Sequence, residues 1–277
     1  MGRIVWLASY PKSGNTWLRA FLKCLLEPRG KLDINALPDA FPYDIAAKYY
    51  RDLDPRPVTE LTRAETLALR PRVHQRIAAG NPHVTFVKTH SALVIEEGLP
   101  LITPEVTAGA IYIVRNPADV AVSFSCHTGK SIDGTIEMMN LSRAVDAATD
   151  QAVSEHFGSW SENVASWTKP SRPSFHVVRY EDMIVSPAKA FASIAQYLQV
   201  PASREHLDRA IKQSSFRVLR EQERRAGFIE RPASAQSSFF RVGKPGGGLR
   251  ALSRDQLGRL VGAHRDQMFR FGYLPAP

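Results

Sequence analysis

A chain of 277 residues with 44% hydrophobic and 23% charged side chains has an ordinary globular balance and the length for one large domain or two small ones. No apolar run approaches the roughly 20 residues of a membrane-spanning helix, and two cysteines, Cys24 and Cys126, make neither a disulfide framework nor a zinc site. The net charge of +9 favours an anionic partner; without zinc-finger spacing, a basic region before heptads or an aromatic RNA-binding signature, a phosphate-rich small ligand accounts for it at least as well as nucleic acid.

The first predicted element is a strand over Ile4–Ala8, a run too short for a secretory h-region, so a cytoplasmic protein is expected. It passes straight into YPKSGNTW, Tyr10–Trp17, and then into a helical pattern over Thr16–Leu26 with Trp17, Phe21 and Leu25 on one face. Strand, small-residue turn and helix are the layout of a phosphate cradle. Gly14 lets the backbone approach an anion closely, and the first N–H groups of the helix have no partner within it. Lys12, Ser13, Asn15 and Thr16 add side-chain donors. On these residues alone, a plain strand-to-helix turn is an equal alternative.

Pro28–Asn81 is rich in Pro, Asp and Tyr, with one helical stretch near Thr62–Ala79; a loop this long is expected to shape an acceptor site. A second strand over Val84–Val87 ends in Lys88, Thr89 and His90. Ligands of open α/β sheets lie beyond the carboxyl ends of the strands, which makes His90 a candidate general base, with Lys88 lowering its pKa. The plainer alternative is a polar strand end at the surface.

A third strand, Ile111–Val114, leads into RNPADVAVS, Arg115–Ser123. Arg115 offers a planar fork of donors and Ser123 a hydroxyl on the following helix, a pair suited to a second phosphate. An Arg115–Asp119 surface pair is the alternative. CHTGKS, Cys126–Ser131, mimics the end of a Walker A loop but carries Phe124 where that motif needs Gly, and it follows a helical run. It is set aside, and His127 within it is expected to pack or to face solvent.

A fourth strand is predicted over Phe175–Val178. A helix over Pro187–Leu198 has Ser186 as N-cap and Pro187 in its first turn, and a Ser253/Gln256 capping box starts a helix towards Phe269. Basic residues are densest over Arg217–Arg231. Arg231–Arg250, rich in Ser, Gly, Arg and Phe, is a long loop expected to cover a ligand. Strands alternating with helices predict an α/β fold with a central parallel sheet flanked by helices.

These motifs, in this order, resemble those of the cytosolic-type sulfotransferases, which use 3′-phosphoadenosine 5′-phosphosulfate (PAPS). YPKSGNTW resembles the family's 5′-phosphosulfate loop, KTH at Lys88–His90 its catalytic motif, and RNPADVAVS its 3′-phosphate segment. Weaker likenesses follow in GSWSENVASW (Gly158–Trp167), RYEDM (Arg179–Met183), SSF (Ser214–Phe216) and FFRVGKPGG (Phe239–Gly247).

The resemblance implies a P-loop-like sulfotransferase domain over residues 1–277, with 28–81 as an acceptor-site insertion and 231–250 as a cofactor-covering loop. It implies Lys12 at the sulfuryl group and bridging oxygen, and Ser13, Gly14, Asn15, Thr16 and Trp17 around the 5′-phosphate, with Trp17 beside the adenine. Arg115 and Ser123 fall at the 3′-phosphate with Arg241, Val242 and Gly243, while Tyr180, Ser215, Phe216 and Phe240 line the nucleoside pocket. His90 deprotonates the acceptor hydroxyl and Lys88 stabilises charge. PAP is the product, no metal is required, and the partner is a small hydroxylated acceptor rather than nucleic acid.

Val242 and Leu249 stand where vertebrate members carry Lys, which weakens the expected phosphate clamp. GGLRALSRDQ lacks the Lys-Thr-Val-Glu dimer motif of those members, which leaves a homodimer open. The competing readings are a P-loop small-molecule kinase using ATP and Mg²⁺, and a nucleic-acid binder.

Overall fold

The computed structural model describes residues 2–169 and 172–274. Its strands are β1 (Arg3–Ser9), β2 (Val84–Thr89), β3 (Ile95–Glu96), β4 (Leu99–Pro100), β5 (Thr107–Val114), β6 (Val145–Asp146), β7 (Glu155–His156) and β8 (Phe175–Arg179). Four of them form one sheet in the order β2-β1-β5-β8. β1 and β2 run parallel, with Arg3 opposite Val84 and Ala8 opposite Thr89. The four apolar runs expected to be strands are these four. All of β1 but Arg3 is buried, as a parallel strand covered on both faces requires. The fold is α/β, a central parallel sheet flanked by helices.

Two two-stranded hairpins, β3-β4 and β6-β7, complete the strand set among the described residues. Helices cover Asn15–Leu26, Arg63–Ala79, Trp160–Thr168, Pro187–Tyr197 and Arg254–Arg270, among others. The Ser253/Gln256 capping box is present, and a second one joins Thr62 and Glu65. Ser186 does not act as expected: with φ −136° and ψ 61° its hydroxyl caps nothing, and Pro187 alone sets the first turn. Among the described residues no helix is long and apolar enough to cross a membrane.

The chain forms two compact units. The first comprises residues 1–10, 41–112 and 141–177; the second comprises 11–40, 113–140 and 178–277. In the first unit the helix Arg63–Ala79 packs on β1 and β2. Beneath it lies a buried polar cluster: Arg70 donates to Asp44 at 3.1 Å, and His74 Nδ1 lies 2.7 Å from Thr103 Oγ1. Buried charges persist only when paired in this way. In the second unit the helix Asn15–Leu26 is buried along most of its length. Arg19, fully buried, makes a two-pronged pair with Glu230 at 2.7 and 2.6 Å. Cys24 and Cys126 are both unbonded.

Candidate active site

In the first unit, β2 delivers Lys88 and His90 at its carboxyl end. The His90 backbone is held on both sides. Its N–H donates to Glu155 Oε1 at 2.9 Å, and its carbonyl accepts from Asn163 Nδ2 at 2.9 Å. The following residues are tied down as well: Ala92 N–H donates to the His156 carbonyl, and Trp167 Nε1 donates to the Ser91 carbonyl. GSWSENVASW thereby gains a physical role. Its Ser159/Glu162 capping box starts the helix that carries Asn163 and Trp167 to the residues around His90.

The imidazole is fixed too. His90 Nδ1 lies 2.8 Å from the Ser9 carbonyl oxygen and 3.2 Å from Ser9 Oγ. A carbonyl oxygen only accepts, so Nδ1 carries the hydrogen and Nε2 is the accepting nitrogen. That is the tautomer a general base needs.

Lys88 is mostly buried, and its ammonium sits 3.8 Å from the centroid of the Tyr43 ring. The same ring meets His90 edge-on, centroids 5.8 Å apart at 84°. Tyr43 is held by a backbone bridge to Lys88, and its hydroxyl donates to Glu155 Oε2. Burial first, and then the Asp44 carboxylate, push the Glu155 carboxyl up to about 7, against the pull of Tyr43, Lys88 and the His90 N–H. A cavity of about 500 Å³ opens two residues past His90, lined by Ala92, Val94, Arg63, Glu96, Arg143 and His156.

The second unit holds the loop that follows β1. Gly14 has φ 111°, and a Cβ there would lie 2.7 Å from the Tyr180 ring. Only glycine therefore allows the turn to close on Tyr180. Lys12 also has a left-handed backbone, φ 64°, a strained conformation for a side-chain-bearing residue. Ser13, Asn15 and Thr16 are buried, and Trp17 meets Tyr180 and Phe191 edge-on. Arg115 lies with its guanidinium 4.3 Å from the Tyr180 ring centroid and donates to the Lys12 carbonyl at 2.8 Å.

Lys12 Nζ lies 3.7 Å from the Phe239 ring centroid and 3.2 Å from His127 Nδ1. A small cavity here is lined by Lys12, Ser123, Cys126, His127, Phe239 and Arg241. Ser123 and Arg241 thus come together with Lys12, while Arg115 turns to Tyr180. His127, expected to pack or face solvent, packs edge-on against Phe239, and the helix Pro117–Thr128 also carries it to Lys12. CHTGKS is the end of that helix, closed by Gly129 at φ 75°, and the turn into the next helix, Ile132–Asn140, so it joins two helices and follows no strand.

The alternative Arg115–Asp119 surface pair does not form. Asp119 accepts from the Gly246 and Gly248 N–H groups at 2.8 and 2.6 Å. Glu223 accepts from Phe239 and Phe240 N–H at 2.5 and 2.9 Å, so residues 239–248 are pinned at both ends. Phe240 meets Phe216 edge-on at 6.2 Å, and Gly243, at φ 63°, faces the Phe216 ring. Ser215 stands at the N-cap of the helix Phe216–Ala226 without capping it, and Val242 is exposed.

Ser13 Oγ, Trp17 Nε1 and Arg115 Nε are buried and have no hydrogen-bond partner among the described residues. Buried donors of this kind are normally met by protein, ordered water or a ligand. With the Lys12 ammonium and the amino end of a buried helix, they fit a polyanionic nucleotide. The sequence missed Ser9, Tyr43, Glu155 and Asn163 around His90, and His127, Glu223 and the Asp119 contacts in the second unit.

Residues 3–271 match the sulfotransferase domain family. The chain is 28% identical over 256 residues to flavonol 3-sulfotransferase of Flaveria bidentis, covering 87% of this chain and 74% of that protein. It is 26% identical over 251 residues to sulfotransferase 1B1 of Canis lupus familiaris, covering 87% and 75%. Retinol dehydratase, crystallised with androsterone and the inactive cofactor PAP, shares the fold at a TM-score of 0.65 and 21% identity, over 96% of this chain and 80% of that one. With the family's domain spanning nearly its whole length, the chain belongs to the sulfotransferases and is a transferase of that class.

Proposed function

We propose that the chain, as one sulfotransferase domain, moves a sulfuryl group from PAPS to a hydroxyl of a small-molecule acceptor. The observation that carries this is the cradle after β1: a left-handed Gly14 against Tyr180, and a buried Ser13 hydroxyl without a partner at the start of a buried helix. Lys12, Ser13, Gly14, Asn15 and Thr16 hold the 5′-phosphate side. Ser123, Arg241 and Gly243 take the 3′-phosphate, and Arg115 joins them by leaving Tyr180. Val242, being exposed, contributes its backbone only. Trp17, Tyr180, Ser215, Phe216 and Phe240 enclose the nucleoside. When bound, PAPS supplies an activated sulfuryl group and leaves as PAP.

His90 Nε2 accepts the proton of the acceptor hydroxyl as that oxygen attacks sulfur, and the Ser9 carbonyl keeps Nδ1–H in place as the ring becomes imidazolium. Lys88 offers positive charge beside it. Lys12 and the helix N-terminus offset the negative charge that grows on the departing phosphate. The acceptor is small and hydroxylated, in keeping with the 500 Å³ cavity that begins at Ala92.

Calorimetric titration tests the reading. PAP binds without added divalent cation, and His90→Ala keeps that affinity within about threefold while turnover falls at least about a hundredfold. ATP binding that requires Mg²⁺, with no binding of PAP, would overturn it.

A further inference from the structure

We infer that Glu155 and Tyr43 form a positioning pair for His90 and Lys88, the carboxylate setting the His90 backbone and the Tyr43 hydroxyl, and the Tyr43 ring setting both side chains. The inference rests on the sulfotransfer reading, in which His90 accepts the proton.

Glu155 is 6% exposed, in the short strand β7. One of its oxygens takes the His90 N–H and the other takes the Tyr43 hydroxyl. Both contacts lead to the same place. The hydroxyl bond fixes the rotation of the Tyr43 ring, whose backbone is already fixed: Lys88 N–H donates to the Pro42 carbonyl at 2.8 Å, and Asp44 N–H donates to the Lys88 carbonyl at 3.3 Å. Held so, the ring turns its electron-rich face to the Lys88 ammonium and meets the His90 ring edge-on. A cation over a desolvated ring is held by the ring's electron-rich face.

A carboxylate is an expensive choice for this place if packing were its only task, because burial penalises its charged form. The neutral amide of Gln has one accepting oxygen, so it would take the His90 N–H and turn its –NH2 to the Tyr43 oxygen, reversing the second bond. What only a carboxylate adds is acceptance of both bonds and, as its proton leaves around pH 7, negative charge behind a histidine that must become positive. The charged and titratable groups acting on Glu155 are Asp44, Tyr43 and Lys88, with Arg70 and Tyr50 beyond them. Asp44 is paired with Arg70, which leaves Lys88 and the His90–Tyr43 contacts as the partners Glu155 serves.

The test uses the full chain with Tyr43→Phe, Glu155→Gln and the double variant. Tyr43→Phe removes one oxygen atom and is expected to fold even if Glu155→Gln does not. With labelled PAPS and a panel of phenols and alcohols, each single variant lowers kcat ten- to a hundredfold. KM for PAPS stays within twofold, and the double variant is no slower than the slower single one. Independently of turnover, NMR of labelled histidine shows the His90 imidazole titrating at lower pH in Glu155→Gln than in the wild type. Unchanged kcat in both single variants of a transferring enzyme overturns the pair alone, as does an unmoved His90 titration. Failure of the wild type to bind PAP overturns instead the sulfotransfer reading beneath it.

Discussion

Gly243 and Gly227 share a positive φ, at 63° and 72°, yet differ in what a Cβ would meet. At Gly227 nothing lies within 4 Å; at Gly243 the Phe216 ring is 2.5 Å away. Alanine at Gly227, where ψ is −176°, therefore carries backbone strain only, about 1–3 kcal/mol. Alanine at Gly243 carries positive-φ strain plus displacement of a ring proposed to line the nucleoside pocket, about 2–5 kcal/mol in all. Thermal melts of Gly243→Ala and Gly227→Ala, each with and without PAP, separate the two effects. Only Gly243→Ala is expected to weaken PAP binding, by tenfold or more; equal losses would show that the Phe216 contact is irrelevant. Residues of this kind were legible in the sequence because their motif places them. The companions of His90 were not: Glu155, Ser9 and Asn163 lie 65 to 81 positions away, and a tautomer fixed by a backbone carbonyl leaves no trace in residue type.

At the scale of elements, the stretch 239–248 is held by two carboxylates from separate helices rather than by an apolar anchor alone. Asp119 near the start of the helix Pro117–Thr128 is a favourable placement for a negative charge, and that much the sequence shows. That it also takes two N–H groups more than 120 positions later depends on tertiary packing. Hydrogen bonds to a charged acceptor contribute about 1.5–3 kcal/mol each. Asp119→Ala should therefore raise hydrogen exchange at Gly246 and Gly248 tenfold or more. The Glu223 end and the amides of Asn15–Leu26 should keep their protection. Exchange rising equally throughout the second unit would mean that Asp119 supports the whole unit and not this segment. The four sheet strands were readable as apolar runs, whereas the two-residue strands β3, β4, β6 and β7 are too short to carry a period. It is β7 that brings Glu155 to His90, so this companion of His90 escaped prediction together with its element.

For the whole molecule, pH acts with opposite signs on the two units. Burial and Asp44 raise the Glu155 carboxyl from its ordinary 4.5 to about 7. The folded first unit then binds a proton that the unfolded chain releases. Its contribution is complete below pH 4.5 and is lost as pH rises through 7. In the second unit, burial lowers the His264 imidazole from 6.5 to about 4. There the unfolded chain binds the extra proton, so stability present above pH 6.5 is lost as pH falls through 4. Each ramp amounts to about 3 kcal/mol. Between pH 4.5 and 6.5 they oppose each other, and the wild type is expected to show a shallow dependence that conceals both. Urea unfolding across pH 4 to 8 exposes them by difference. Glu155→Gln gains about 3 kcal/mol on the wild type between pH 4.5 and 7, and His264→Gln loses about as much between pH 4 and 6.5. A flat difference for either variant removes that group from the balance. The Glu155→Gln result reaches further, because the same substitution is expected to slow turnover. A variant that is more stable at pH 7 and less active would show that the buried charge is kept for chemistry, at a cost to the fold.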